Sequence, residues 1–360
     1  MKSPNNRFLR TELDSLIPYT PGEQPNIGEV VIKLNTNENP YPPSPKIKLK
    51  IDEIIEKGLL RKYPNYNAQN LRQSIARQLH LNPEQILVTN GSDEALRLLF
   101  QAVLAPKDIL VAPDPTYSLY PVLTDSLMAD IQFKKIPLLQ NLHFDFESLK
   151  NQPGKLLAFA HPNAPTGILE PKEDLLDLIA KFNGLVLADE AYIDFAGSSA
   201  SLVSEIKNFP NLLVSRTFSK SYSLAGLRVG FLIGEESLIQ MIQTLKDSYN
   251  VGLLEQEIAL CAFEDIGYFQ EKIGQVISER NRLTNALREM DFFIPESSAN
   301  FIFCKPKSGI SPEWIYQSLK AKNVLVRYFS KGISKDYVRI SIGSESENNI
   351  LLQELQTILK

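Results

Sequence analysis

Short apolar runs recur along the first two thirds of the chain, each set apart from the next by a longer stretch. "QILVT" (85–89), "DILVA" (108–112), "DIQFKKI" (130–136), "KLLAFA" (155–160), "GLVLADEAY" (184–192), "NLLVSRTF" (211–218) and "RVGFLIG" (228–234) have the length and β-branched content of strands. Between them, "AQNLRQSIARQLH" (68–80), "SDEALRLLFQAVLA" (92–105) and "PKEDLLDLIAKF" (171–182) repeat apolar residues at helical spacing. This alternation predicts an α/β architecture with a mainly parallel central sheet flanked by helices.

The pattern changes past residue 235. "EESLIQMIQTLKDSY" (235–249) and the run from 255 to 290 read as helical. The tail mixes the strands "NFIFCK" (300–305), "NVLVRYF" (323–329) and "YVRISIG" (337–343) with the helices "SPEWIYQSLKAK" (311–322) and "ENNILLQELQTILK" (347–360). A smaller α+β domain is expected there. Residues 1–45, rich in Pro and Asn, read as an extended arm. The resulting division is residues 1–35 as an N-terminal arm joining the small domain, 36–254 as the large domain, and 255–360 as the C-terminal small domain.

Composition narrows the function. A length of 360 residues with 43% hydrophobic and 22% charged residues is that of a globular protein with a substantial core. The net charge is −4 and no basic stripe stands out, so no nucleic-acid surface is expected. Cys261 and Cys304 lie far apart, and the three histidines lack metal-site spacing, so no metal centre is expected and a reducing compartment fits. The N-terminal stretch has no continuous apolar run, so no signal peptide, no membrane span and a cytoplasmic location are expected.

Chemistry is expected where strands end, because ligands of open α/β sheets bind at the carboxyl edge. "ILVTNGSDEALRLLF" passes from strand to turn to helix, with Ser92 as the candidate N-cap and the first helical amides forming an anion site. "GLVLADEAYIDF" puts Asp189 and Glu190 at a strand end, where only one of two neighbouring side chains can face a site. Tyr192 returns to the side of Asp189 if the extended geometry continues. "NLLVSRTFSKSYSLAGLRVGFLIG" sets Lys220 on a loop between two strands, with Thr217, Ser219 and Arg228 around it. A phosphate cradle, a buried acid, a tyrosine and a lysine are the complement that pyridoxal 5′-phosphate requires for its phosphate, ring nitrogen, phenolic oxygen and aldehyde.

The series "LNTNENPYPPSP", "RKYPNYNAQNLR", "VTNGSDEALRLLF", "PDPTYSLY", "PNAPTG", "ADEAYIDF", "RTFSKSYSLAGLRVGF", "VLVRYF" and "YVRISIG" resembles, over nearly the whole chain, the fold-type I aminotransferases, and among them the histidinol-phosphate aminotransferases. The resemblance implies transfer of an amino group from histidinol phosphate to 2-oxoglutarate on pyridoxal phosphate. Lys220 would capture the aldehyde and move the proton, Asp189 would face the ring nitrogen, Tyr192 the phenolic oxygen and Tyr117 the ring face. The phosphate would fall to Ser92, Asp93, Thr217, Ser219 and Arg228, with Tyr63 reaching it from the other subunit of a homodimer. Arg339, Arg327 and Tyr19 would bind substrate.

One position departs from the family. An asparagine usually precedes the Pro-Thr-Gly and donates to the phenolic oxygen, whereas this chain has Ala164, with Asn163 one residue early and expected to point elsewhere. Two other reactions fit a closely similar chain: decarboxylation of threonine phosphate, and transamination of aromatic or other amino acids. A non-catalytic sensor domain of a transcription regulator would need an added DNA-binding module, for which the first thirty or so residues leave no room.

Overall fold

The computed structural model describes residues 8–26 and 28–360, so residues 1–7 and 27 of the expected arm lie outside it. The arm leads into a two-residue strand β1 (Ile32–Lys33) and then two helices, α1 (Lys46–Glu56) and α2 (Gln69–Leu79). β2 (Ile86–Thr89), α3 (Gly91–Val103), β3 (Ile109–Asp114), α4 (Leu119–Ser126) and β4 (Gln132–Pro137) follow. Next come α5 (Phe146–Lys150), β5 (Leu156–Ala160), α6 (Lys172–Lys181), β6 (Leu185–Asp189), β7 (Leu212–Thr217) and β8 (Gly230–Ile233). β2 to β8 form one seven-stranded sheet in the order β4-β3-β5-β6-β7-β8-β2, in which only β8 runs antiparallel to its neighbours.

Except on the exposed edge strand β4, strand residues are largely apolar on both faces because both faces are covered. On β5, Leu157 and Phe159 pack with α2, α5 and α6 on one side, while Leu156 and Ala158 pack with α3, α4 and α7 (Glu236–Gln243) on the other. The period-two alternation of a strand thus feeds two separate cores.

The helical run expected over 255–290 is two helices, α8 (Leu253–Glu264) and α9 (Ile266–Glu289), meeting at Asp265. The expected domain junction at 254/255 falls at the start of α8. The buried residues of that helix, Ile258, Ala259, Ala262 and Phe263, join the core of the large sheet with α1 and α2. The change from one core to the other comes at Asp265, whose carboxylate accepts from Ser44 at 2.6 Å and from Lys46 at 2.8 Å.

The small domain holds β9 (Phe301–Cys304), α10 (Pro312–Lys320), β10 (Val324–Leu325), β11 (Arg327–Tyr328), β12 (Val338–Ser341) and α11 (Glu345–Ile358). The "NVLVRYF" strand is split. β10 pairs in parallel with β1 of the arm, while β11 joins the antiparallel order β11-β12-β9. Leu34 packs in the small-domain core with Phe301, Val324 and Ile340. The segment 34–39 therefore leaves the small domain and crosses towards the large one.

Candidate active site

The sheet order determines what meets at its edge. β2, β3, β5, β6 and β7 all end on one side, and antiparallel β8 begins there. Ser92 and Asp93, Asp114 to Ser118, Ala160, Asp189, Ala191, Tyr192, Thr217, Ser219, Lys220 and Arg228 are thereby gathered around one cavity of about 560 Å³. Arg327, Phe329 and Arg339 of the small domain and Tyr19 of the arm line the same cavity.

At one end lies an anion cradle. Arg228 donates from Nη1 to Ser219 Oγ (3.2 Å) and from Nη2 to Asp93 Oδ2 (3.0 Å). Thr217 Oγ1 donates to Ser219 Oγ (3.0 Å). Ser92 is not the N-cap: α3 starts at Gly91, Asn90 precedes it, and Ser92 sits inside the first turn, where the amides and the helix dipole still face the cavity. Gly91 and Gly230 make the cradle compact. A Cβ on Gly91 (φ +75°) would meet Arg228 Nη2 at 2.6 Å, and one on Gly230 would meet the Ser92 amide nitrogen at 2.5 Å.

Asp189 closes β6 at 3% exposure. Ser215 Oγ donates to one carboxylate oxygen at 3.0 Å and Tyr120 Oη to the other at 3.4 Å. No cation of the described residues pairs with it, and burial pushes its pKa from the usual 3.8 up to about 6. Glu190 points the other way, into a buried ion pair with Arg216 (2.9 Å) and hydrogen bonds from Ser201 and the Leu202 amide. The strand stops at Asp189, so extended geometry does not carry Tyr192 to the cavity. It arrives at the entry of a 3₁₀ turn (Ile193–Phe195), its ring edge-on to Phe301 at 5.0 Å.

Lys220 Nζ donates to the Thr36 carbonyl at 3.0 Å. Burial, and next the positive charge of Arg339, hold its pKa down at about 8, against the pull of the Glu38 and Asp93 carboxylates. Tyr117 lines the cavity and donates to Asp93 at 3.2 Å, and burial raises its pKa well above the usual range.

Arg327 and Arg339 are register partners on β11 and β12, and both guanidinium groups lie over Phe329, at 5.3 and 5.6 Å from its centroid. Arg339 Nη2 donates to the Asn35 carbonyl at 2.9 Å, while its buried Nε has no acceptor among the described residues. Arg327 donates to the carbonyls of Thr20 and Pro21, fixing the arm beside Tyr19 at the cavity mouth. Ala164 lines the wall, and Asn163 is turned away into hydrogen bonds with Thr116, Pro115 and Thr166. Tyr63 is the exception: it is 81% exposed, stacks on Tyr249 and lies outside its own chain's cavity.

Sequence reading missed Ser215, Tyr120 and Asn37, the last donating to Tyr192 Oη at 3.0 Å. Ser215 is the register neighbour of Asp189 across β6–β7, a relation that strand periodicity cannot supply. Tyr120 and Asn37 stood within motifs whose apolar and turn residues gave no sign of which side chain would face inward.

A buried acid without a cation, a lysine disposed to lose its charge and a cationic cradle at a helix N-terminus are groups that fit the ring nitrogen, aldehyde and phosphate of pyridoxal phosphate. The sequence matches the family of class I and II aminotransferases over residues 29–355, and the chain belongs to that family of pyridoxal-phosphate-dependent transaminases. It is 41% identical to the histidinol-phosphate aminotransferase of Syntrophus aciditrophicus, over 99% of this chain and all of that one. Its fold is similar to the crystal structure of the histidinol-phosphate aminotransferase from Clostridium acetobutylicum (TM-score 0.84, 26% identity, 91% of this chain and 98% of that one). It is also similar to that from Sinorhizobium meliloti, solved with pyridoxal-5′-phosphate (TM-score 0.83, 22% identity, 91% and 90%).

Proposed function

We propose that this enzyme transfers the amino group of histidinol phosphate to 2-oxoglutarate, giving imidazole-acetol phosphate and glutamate, as a step of histidine biosynthesis. The observation that carries the reading is the pair Arg327 and Arg339, side by side on the cavity wall that also holds Lys220. Histidinol phosphate bears a phosphate ester where an amino acid has a carboxylate, and 2-oxoglutarate brings two carboxylates. A planar, permanently charged guanidinium takes either anion through paired hydrogen bonds, so the same two side chains serve both half-reactions. The name of the 41%-identical relative supports the same substrate.

Bound pyridoxal phosphate supplies the electron sink that no side chain here offers. The residues do the rest. Arg228, Ser219, Thr217 and the first amides of α3 hold the phosphate. Asp189, braced by Ser215 and Tyr120, presents a carboxylate to the ring nitrogen, and that positive partner restores its charge. Tyr117 covers the ring face, and Tyr192 serves the phenolic oxygen. Lys220 Nζ, held at the Thr36 carbonyl and poised to be neutral, takes the proton from the substrate carbon and returns it. Tyr19 and the arm cover the mouth.

We assign the enzyme to a homodimer in which Tyr63 reaches the coenzyme phosphate of the neighbouring subunit. Its exposure, and its absence from its own cavity, support that role. We place the enzyme in the cytoplasm, in keeping with two unpaired thiols, Cys261 and Cys304. No helix among the described residues is long and apolar enough to cross a membrane.

A single half-reaction tests the substrate. Coenzyme-loaded protein is mixed, without keto acid, with histidinol phosphate, phenylalanine or threonine phosphate, and the visible coenzyme band is followed with the products. Fastest loss of the band with histidinol phosphate is the expected result. Faster loss with phenylalanine makes it an amino-acid transaminase, and carbon dioxide released from threonine phosphate makes it a decarboxylase.

A further inference from the structure

The segment 34–39 crosses between the two domains over the cavity, and Asn37 lies at its centre with φ +55°, a left-handed conformation that Asn tolerates better than most residues. Asn37 is 1% exposed, and four hydrogen bonds hold it. Its backbone N–H donates to Ser341 Oγ (2.8 Å), and its carbonyl accepts from Asn300 Nδ2 (3.0 Å). Ser341 Oγ donates to Asn37 Oδ1 (3.0 Å), and Asn37 Nδ2 donates to Tyr192 Oη (3.0 Å).

The direction of these bonds follows from the orientation of the side-chain amide, with its oxygen towards Ser341. A serine hydroxyl has one proton, and Ser341 gives its own to Asn37 Oδ1 while accepting the Asn37 backbone proton. The NH₂ end then faces Tyr192 and donates. Tyr192 also has one proton, and among the described residues nothing accepts it. Its ring is held edge-on to Phe301, and the hydroxyl sits on the cavity wall beside Ala164, a side chain with no donor to offer.

We propose that Asn37 is a positioning residue: its amide, locked by Ser341, donates to the Tyr192 hydroxyl and so aims the Tyr192 proton into the cavity, at the phenolic oxygen of the bound coenzyme. The inference rests on the reading that Tyr192 serves that oxygen. It adds the device that orients the proton. With alanine at 164, Tyr192 is the side chain left to donate there, so the direction of its proton matters more than where a second donor stands beside it. Because Asn37 and Ser341 belong to the segment and strand that carry Leu34 and Arg339, the orientation is set from the small-domain side while the coenzyme is bound by the large one.

The test uses the coenzyme-loaded enzyme and reads the pH midpoint of its visible band. A donor to the phenolic oxygen favours the deprotonated form, so its loss raises the midpoint. Tyr192→Phe is expected to raise it by about one pH unit, the size of one hydrogen bond to a charged oxygen. Asn37→Asp replaces the donating NH₂ by an oxygen that only accepts and draws the Tyr192 proton to itself. It is expected to raise the midpoint by a similar amount, and by much less when added to Tyr192→Phe. Ser341→Ala, a milder change, frees the amide to turn its oxygen towards Tyr192 and is expected to give a smaller rise.

If Asn37→Asp shifts the midpoint equally with and without the Tyr192 hydroxyl, its effect is the added charge alone and the proposal fails. The proposal also fails if Tyr192→Phe raises the midpoint while Asn37→Asp and Ser341→Ala leave it in place. If Tyr192→Phe itself changes nothing, the underlying role of Tyr192 falls first, and the proposal with it.

Discussion

Neutralising Asp189 should make the coenzyme-free protein more stable while ruining the enzyme. The carboxylate is fully buried, its protein partners are two neutral hydroxyls and the Ala191 amide, and its pKa stands at about 6 instead of 3.8. That rise is worth about 3 kcal/mol of preference for the protonated form. An acid that holds its proton more tightly folded than unfolded loses stability as pH rises through the window from 3.8 to about 6, and above it bears the full cost. An amide in place of this carboxylate would carry no charge, and Ser215 and Tyr120 can each reorient to accept from its NH₂. Asp189→Asn is therefore expected to raise the unfolding free energy of the coenzyme-free protein by about 2–3 kcal/mol near neutral pH and by well under about 1 kcal/mol near pH 4.

Denaturant unfolding at the two pH values, at one fixed protein concentration, measures both numbers. The same variant should bind pyridoxal phosphate more weakly and lose turnover, because the ring nitrogen loses its anionic partner. A coenzyme-free Asp189→Asn protein no more stable than the parent near neutral pH, or equally stabilised at both pH values, would refute the view that burial without a cation dominates this carboxylate.

Two further outcomes follow from the geometry. Gly91→Ala places a Cβ 2.6 Å from Arg228 Nη2 on a backbone with φ +75°. It should lower coenzyme affinity by about tenfold or more, the cost of displacing one charge-assisted hydrogen bond, read by equilibrium titration; unchanged affinity would count against Arg228 as a phosphate ligand. In the coenzyme-free enzyme, acylation of Lys220 should rise with pH around a midpoint near 8, since burial and Arg339 disfavour its charge, and Arg339→Ala should lift the repulsion and move that midpoint upward. A midpoint near 10.5 would mean that the lysine is solvated.

Much of this molecule was written locally. The apolar runs at 85–89, 155–160 and 211–218 had strand length and composition because each is covered on both faces, and they formed strands within a residue or two of the expected ends. The helix α1, "KIKLKIDEIIE", carries Ile47, Ile51 and Ile54 at helical spacing beside the arm, and it is held by packing Ile47 and Ile51 against the large-sheet core. Ser92 has the residue type of a cap, but capping depends on the backbone angles of Asn90 and Gly91, which the residue types alone do not give. The expected junction at 254/255 and the change of core at Asp265 differ for a similar reason. α8 and α9 look alike as sequence, and only their neighbours show that one belongs to each core.

By itself the sequence determined the element types, the α/β class and which residue types were available for chemistry, because these depend on periodicity and side-chain identity within a few residues. It also marked Asp189 as a candidate, since it ends an apolar strand where a charge is costly without a purpose, and Lys220 and Arg228, since they stand together on the connection between two such strands. The tertiary structure alone decided that five strand ends and the start of β8 meet at one edge, because strand order is set by pairing between distant segments. It alone decided that Asp189 would lie beside Ser215, and that Asn37 would face Tyr192, whose ring packs with Leu34 and Phe301 in one core. Burial then did what no local pattern can, lowering the Lys220 pKa and raising that of Asp189, since the cost of charge depends on everything packed around it.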